Sequence, residues 1–213
     1  MPEPNFNEII AKINSVDIDV RVQSIYQLGR FREPKVLDLL LDIAISDDVH
    51  QARSAAEHVI AVFSKLPEFI DLLLRKLIEV ESMEQKELIA RILQGNKDLR
   101  VVHSIVATSG QYQDNIHLRE SAVWVLLSYD RARAKEYCSK LKIDILVAED
   151  EYDIRDLICF TLMFGGWKVI GVHNGEAVCT FAEICAPSLV LMDVRMPRMT
   201  GYEACKVIKA DQI

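Results

Sequence analysis

No apolar stretch in this 213-residue chain reaches the ~18 residues that a membrane span requires. Its start, Met1-Pro2-Glu3-Pro4-Asn5, has neither the basic n-region nor the apolar h-region of a secretory leader. The chain therefore reads as cytoplasmic, with no membrane partner. It also lacks a basic stripe or arm: the formal charge is −7, with 6 Lys+Arg against 11 Asp+Glu in 143–213 and 19 against 21 before that. Direct nucleic-acid binding by these residues is excluded on that ground, and a cation is the better expectation for the acidic C-terminal third. The five cysteines (Cys138, Cys159, Cys179, Cys185, Cys205) show no C-x-x-C spacing and read as reduced structural thiols. The five histidines (His50, His58, His103, His117, His173) have no metal-ligand spacing, so neither a zinc site nor histidine catalysis is expected. Between the two halves described below, Ser139-Lys140-Leu141-Lys142 contains no Gly, Pro or polar run, so a flexible tether is not expected.

Half of the residues are hydrophobic, enough for a sizeable core and one or two domains. Residues 5 to about 140 read as helices, and they repeat. Arg21, Arg53, Lys86 and Arg119 are spaced about 33 apart; the third residue after each is Ser24, Ala56, Ile89 and Ala122, and the seventh is Leu28, Ile60, Leu93 and Leu126. That is one recurring helix face. A shift of 33 also maps Pro34 onto Pro67 and Leu39-Leu40-Leu41 onto Leu72-Leu73-Leu74, with each proline in a first turn where its missing N–H is harmless. Two helices per unit resemble HEAT-like repeats, about four of them. The expectation is an N-terminal α-solenoid domain over 1–140 that binds a protein partner, and the competing reading is an irregular helical bundle.

From 143 the pattern alternates between strand and helix: strand 143–148, helix 151–164 stopped by Gly165-Gly166, strand 167–172, helix 174–185 after Asn174-Gly175, strand 188–193 and helix 200–210. The runs Ile145-Leu146-Val147-Ala148 and Leu189-Val190-Leu191-Met192 are short, apolar and unalternating, as strands buried on both faces of a parallel sheet are, and each closes on acids. Right-handed crossovers make the sheet parallel and bring Glu149, Asp150 and Asp193 to its carboxyl edge, where ligands of open α/β sheets bind. Taken singly, Asp150 also reads as a helix cap and Glu149 as a solvated acid.

Glu149-Asp150, Asp193, Met196-Pro197 and Met199-Thr200-Gly201, in this order of strands and helices, resemble the receiver (CheY-like) domain of two-component response regulators, a flavodoxin-like fold, over all of 143–213. The resemblance implies that Asp193 accepts a phosphoryl group from a histidine kinase or phosphotransfer protein. It also implies that Mg²⁺ is held by Glu149, Asp150, Asp193 and the backbone carbonyl of Arg195, and that the chain is a signalling protein rather than an enzyme. The chemistry agrees, because three carboxylates this close stay ionised only beside a cation, and magnesium takes a few carboxylate oxygens while keeping places for water or phosphate.

The family's hydroxyl residue on a fourth strand and lysine on a fifth have no counterpart before Asp211-Gln212-Ile213, and none of Lys168, Lys206 and Lys209 matches that lysine. A truncated receiver with an open edge at its third strand is expected. The competing functional reading is a phosphorylation-independent interaction scaffold with a pseudo-receiver. A metal-dependent phosphohydrolase is disfavoured because Arg195 stands where such enzymes place a second aspartate.

Overall fold

The computed structural model describes residues 5–64 and 66–210, so the segments 1–4 and 211–213 used in the reading of the two ends lie outside the described residues. The chain divides into two compact units, one ending at Leu93 and the other starting at Gln94.

The first unit is helical: α1 Phe6–Lys12, α2 Ile18–Leu28, α3 Pro34–Ser46, α4 His50–Phe63, α5 Pro67–Glu79 and α6 Met83–Leu93. α3 and α5 each open on a proline, whose fixed φ suits a first helical turn. The recurring face is the buried one. Ser24, Leu28, Ala56, Ile60, Ile89 and Leu93 are all buried, alongside Leu37, Leu40, Phe63 and Leu77. Arg21, Arg53 and Lys86 each clip their helix to the chain just upstream. Arg21 Nε donates to the Ser15 carbonyl at 2.9 Å, Arg53 Nη1 to the Asp47 carbonyl at 2.6 Å, and Lys86 Nζ to the Leu77 carbonyl at 2.9 Å. A main-chain carbonyl at a helix end or in a loop has no ladder partner, and a charged donor is among the strongest ways to satisfy it. Burial depresses the Lys86 pKa.

The second unit contains α7 Leu99–Gln111, α8 Ile116–Tyr129, α9 Arg131–Leu141, β1 Ile145–Ala148, α10 Tyr152–Phe164, β2 Val169–Val172, α11 Gly175–Cys185, β3 Leu189–Met192 and α12 Gly201–Ala210. The strands form a parallel sheet in the order β2-β1-β3, with Ile145 opposite Val169 and Leu189, and Ala148 opposite Val172 and Met192. β2 and β3 lie on opposite sides of β1, so right-handed crossovers send α10 and α11 to opposite faces. α10 packs on β1 and β2, and α11 packs on β1 and α12. Each element falls within two residues of its expected bounds.

The third strand departs from the expectation of burial on both faces. β1 and β2 are buried throughout, whereas Leu189 is 49% and Leu191 36% exposed. Among the described residues β3 pairs only with β1, so its outer edge and much of its surface meet solvent.

The change from helix to α/β pattern near 142 lies inside this second unit, because α8 and α9 are built onto the α/β core. α9 runs to Leu141, and Lys142, in the left-handed region at φ 54°, turns the chain directly toward β1. α8 lies along the outer edge of β2. Its Ile116 shares a buried cluster with Ile145, Val147, Cys159 and Val169. Lys168 and Val172 direct their carbonyls to β1, so the Val169 carbonyl points outward, and Arg119 Nη1 donates to it. Arg119 is only 7% exposed, and burial lowers its pKa. The fourth basic residue of the series thus also bonds main-chain carbonyls, here the open side of a strand and, through Nη2, the Gln113 carbonyl six residues upstream. On one side of β2, His117 of α8 bonds Asp156 of α10 at 3.2 Å. On the other, Trp124 packs on Phe181 of α11 with ring centroids 5.1 Å apart.

Candidate phosphoacceptor and metal site

Glu149 and Asp150 follow β1 directly, and Asp193 follows β3. The sheet ladder extends into the site: the Glu149 N–H donates to the Val172 carbonyl at 3.1 Å and the Asp193 N–H to the Ala148 carbonyl at 2.9 Å. The two acids are therefore held at neighbouring strand ends by main-chain bonds, whatever their side chains do. Each of Glu149, Asp150 and Asp193 offers a carboxylate oxygen, and the three oxygens lie within 4.8 Å of one another. Glu149 and Asp193 are half-buried and Asp150 is exposed. No histidine or cysteine joins this group among the described residues.

The cap alternative for Asp150 does not hold geometrically. The cap position of α10 is Glu151, whose side chain makes no cap bond, and it is Glu149 Oε1 that accepts the Glu151 N–H, at 3.2 Å. The Arg195 N–H donates to Asp193 Oδ2 at 2.9 Å, which fixes the rotation of that carboxylate.

The loop after β3 explains the Met-Pro and Gly spacing. Met196 is buried and anchors the loop; Arg198 takes a left-handed φ of 69°; and the Gly201 N–H returns to the Val194 carbonyl at 3.0 Å. A Cβ on Gly201 would collide with the Asp193 carbonyl, so only glycine lets α12 start this close to the acid. Thr200 and Glu203 then form a reciprocal cap on α12. The Thr200 N–H donates to Glu203 Oε2 at 2.9 Å and the Glu203 N–H to Thr200 Oγ1 at 3.3 Å. Bonds from the Thr200 main chain and hydroxyl hold the Glu203 carboxyl below its usual range.

One supporting residue was not singled out from sequence. Arg155 is buried, and its Nη1 donates to the Glu149 carbonyl at 2.8 Å, pinning the chain between Glu149 and Asp150. The available signal was its position four residues before Cys159 on the inward face of α10, where a buried Arg needs a polar partner.

At 4.8 Å two carboxylate charges repel by roughly 1 kcal/mol in water and about 3.5 kcal/mol at an effective dielectric of 20. An all-oxygen donor set of three acids, partly exposed, fits a hard divalent cation that keeps water in its remaining positions. The residues present therefore fit magnesium.

The receiver family accounts for this segment: the response regulator receiver domain matches residues 145–213, and the three-stranded parallel sheet is consistent with part of such a domain. Similar curated proteins include the alkaline phosphatase synthesis transcriptional regulatory protein PhoP of Bacillus subtilis, 35% identical over 32% of this chain and 29% of its own length. The transcriptional regulatory protein PdtaR of Mycobacterium tuberculosis is 37% identical over 32% of this chain and 34% of its own, and the probable transcriptional regulator ycf27 of Cyanophora paradoxa 34% identical over 33% and 29%. The chain thus spans about a third or less of the length of these relatives. No solved structure gives a significant match. Residues before 145 are helical throughout their regular elements, and no described helix is long and apolar enough to cross a membrane.

Proposed function

We propose that this chain belongs to a two-component signalling protein in which Asp193 accepts a phosphoryl group from a histidine kinase or phosphotransfer protein, and in which HEAT-like helical repeats bind a protein partner. The observation that carries the reading is the convergence of Glu149, Asp150 and Asp193 within 4.8 Å at the carboxyl ends of β1 and β3, in a segment that matches the receiver family. The Asp193 Oδ1 lone pair attacks phosphorus, the P–N bond to the donor imidazole breaks, and the imidazole leaves with the bonding pair and takes up a proton. Arg195, through its N–H on Oδ2, holds the carboxylate in one rotation for that attack. Glu149, Asp150, Asp193 and the Arg195 carbonyl would hold Mg²⁺, which when bound neutralises the acids and the charge of the transferring group. On this reading Asp193 is modified rather than regenerated in a turnover, so the protein is a cytoplasmic switch and not an enzyme. Burial of the +3 and +7 positions in both units, and the shared carbonyl bond of the four basic residues, support a repeat origin for the helices.

The test is incubation with acetyl phosphate or a kinase in the presence of Mg²⁺, scored as a hydroxylamine-labile adduct by intact-mass spectrometry. The expected adduct is absent without Mg²⁺ and absent in Asp193→Asn. No adduct, or one that survives Asp193→Asn, overturns the proposal in favour of a phosphorylation-independent scaffold.

A further inference from the structure

We propose that Cys138 and Cys185 form a peroxide-responsive thiol pair that closes to a disulfide and staples helix α9 to helix α11. The two residues are 47 apart in sequence, and their Sγ atoms lie 2.9 Å apart. Both are free thiols and both are buried. α9 and α11 pack directly on each other within the second unit, and the exposed ion pair of Arg131 and Glu183 joins them nearer the start of α9. A disulfide needs an S–S distance of about 2.05 Å, so closure asks for a movement of under about 1 Å, within reach of side-chain torsions while the helices stay in place.

The bond to Cys138 and burial both push the Cys185 thiol well above its ordinary range. The Cys185 thiol is therefore a poor nucleophile in the closed fold. The step balances with hydrogen peroxide as oxidant. One sulfur, as thiolate, displaces hydroxide from the peroxide O–O bond and becomes a sulfenic acid. The second attacks that sulfur, forms the S–S bond and releases water, so two thiols and one peroxide give one disulfide and two waters. Cys159, also buried and with its thiol pushed up to about 12, lies in the cluster of Ile145, Val147 and Val169 and is expected to stay reduced.

Closure has a defined mechanical effect. Cys185 is the last residue of α11, and the first, Gly175, lies so close to Met199 that a Cβ there would strike it. α11 thus runs from the thiol pair to the loop that follows Asp193, and the staple fixes its position from the far end.

The experiment is treatment of the folded protein with hydrogen peroxide, alkylation of remaining thiols, and peptide mapping under non-reducing conditions. The expected result is a linked peptide pair containing Cys138 and Cys185, two hydrogens lighter than its parts, with Cys159 alkylated. Dithiothreitol should reverse the link, and the oxidised protein should melt higher than the reduced one. Cys138→Ser and Cys185→Ser should each abolish it. Alkylation of both thiols after peroxide, their conversion to unlinked sulfinic acids, or a link to another cysteine overturns the proposal. If the serine variants fail to fold, the map of the unaltered protein decides alone.

Discussion

Replacing Arg119 by methionine keeps the aliphatic bulk of the side chain and removes every donor. Two carbonyls lose their partners, Val169 on the outer edge of β2 and Gln113 before α8. Val169 is fully buried, and an orphaned buried acceptor costs about 1–3 kcal/mol, whereas Gln113 is exposed and water replaces the partner of its carbonyl. The offset is the desolvation of the guanidinium, visible in the lowered pKa of Arg119, which the apolar side chain no longer carries. The expected net destabilisation is about 1–2 kcal/mol, a melting-temperature drop of roughly 5 °C for a unit of this size. The assay is selective, because both tryptophans, Trp124 and Trp167, lie in the second unit; urea unfolding followed by their fluorescence reports that unit alone. Arg119→Lys, which keeps the charge but cannot span both carbonyls, should fall between. An Arg119→Met protein as stable as the original would refute the reasoning and show that water satisfies the edge of β2.

Gly201→Ala should destabilise the second unit by about 1–3 kcal/mol by overpacking against the Asp193 carbonyl, and should slow acetyl phosphate labelling of Asp193; unchanged labelling and stability count against the loop geometry. Ala186 ends α11 at a left-handed φ of 44°, so Ala186→Gly should stabilise by about 0.5–1 kcal/mol in the same urea assay. Glu203 has a lowered carboxyl pKa in the folded chain. Its cap on α12 is thus fully present above the ordinary carboxylate range and lost as pH falls through the lower folded value. A carboxyl titration by NMR should show this shift, and Glu203→Gln should remove that component of the acid sensitivity while keeping the helix.

The α/β segment was legible because its signals are local: apolar runs of strand length, Gly165-Gly166 and Asn174-Gly175 as punctuation, and acids at two strand ends. Parallel topology brought Glu149, Asp150 and Asp193 to one sheet edge, and the strand order implied by the receiver resemblance, with the first and third strands as neighbours, brought them side by side. The surroundings of the sheet were not legible, because they depend on pairs such as Arg119 and Val169, 50 residues apart, that no period or motif encodes. The sequence pattern groups Arg119 with Arg21, Arg53 and Lys86, and gives no sign that the same side chain also reaches a strand. The exposure of Leu189 and Leu191 was hidden for a related reason: an apolar run says that a strand seeks cover, and only the fold says whether cover is there.

The two borders of the sheet are unlike. One is covered by the Arg119 guanidinium and helix α8, while among the described residues no strand pairs with the other. Lateral growth is therefore one-directional: any additional strand, whether from a longer chain or from a neighbouring molecule, must dock beside Leu189–Met192 and so beside Asp193. Asp193 stands at the seam where such an addition would join, so a strand placed there would border its carboxylate.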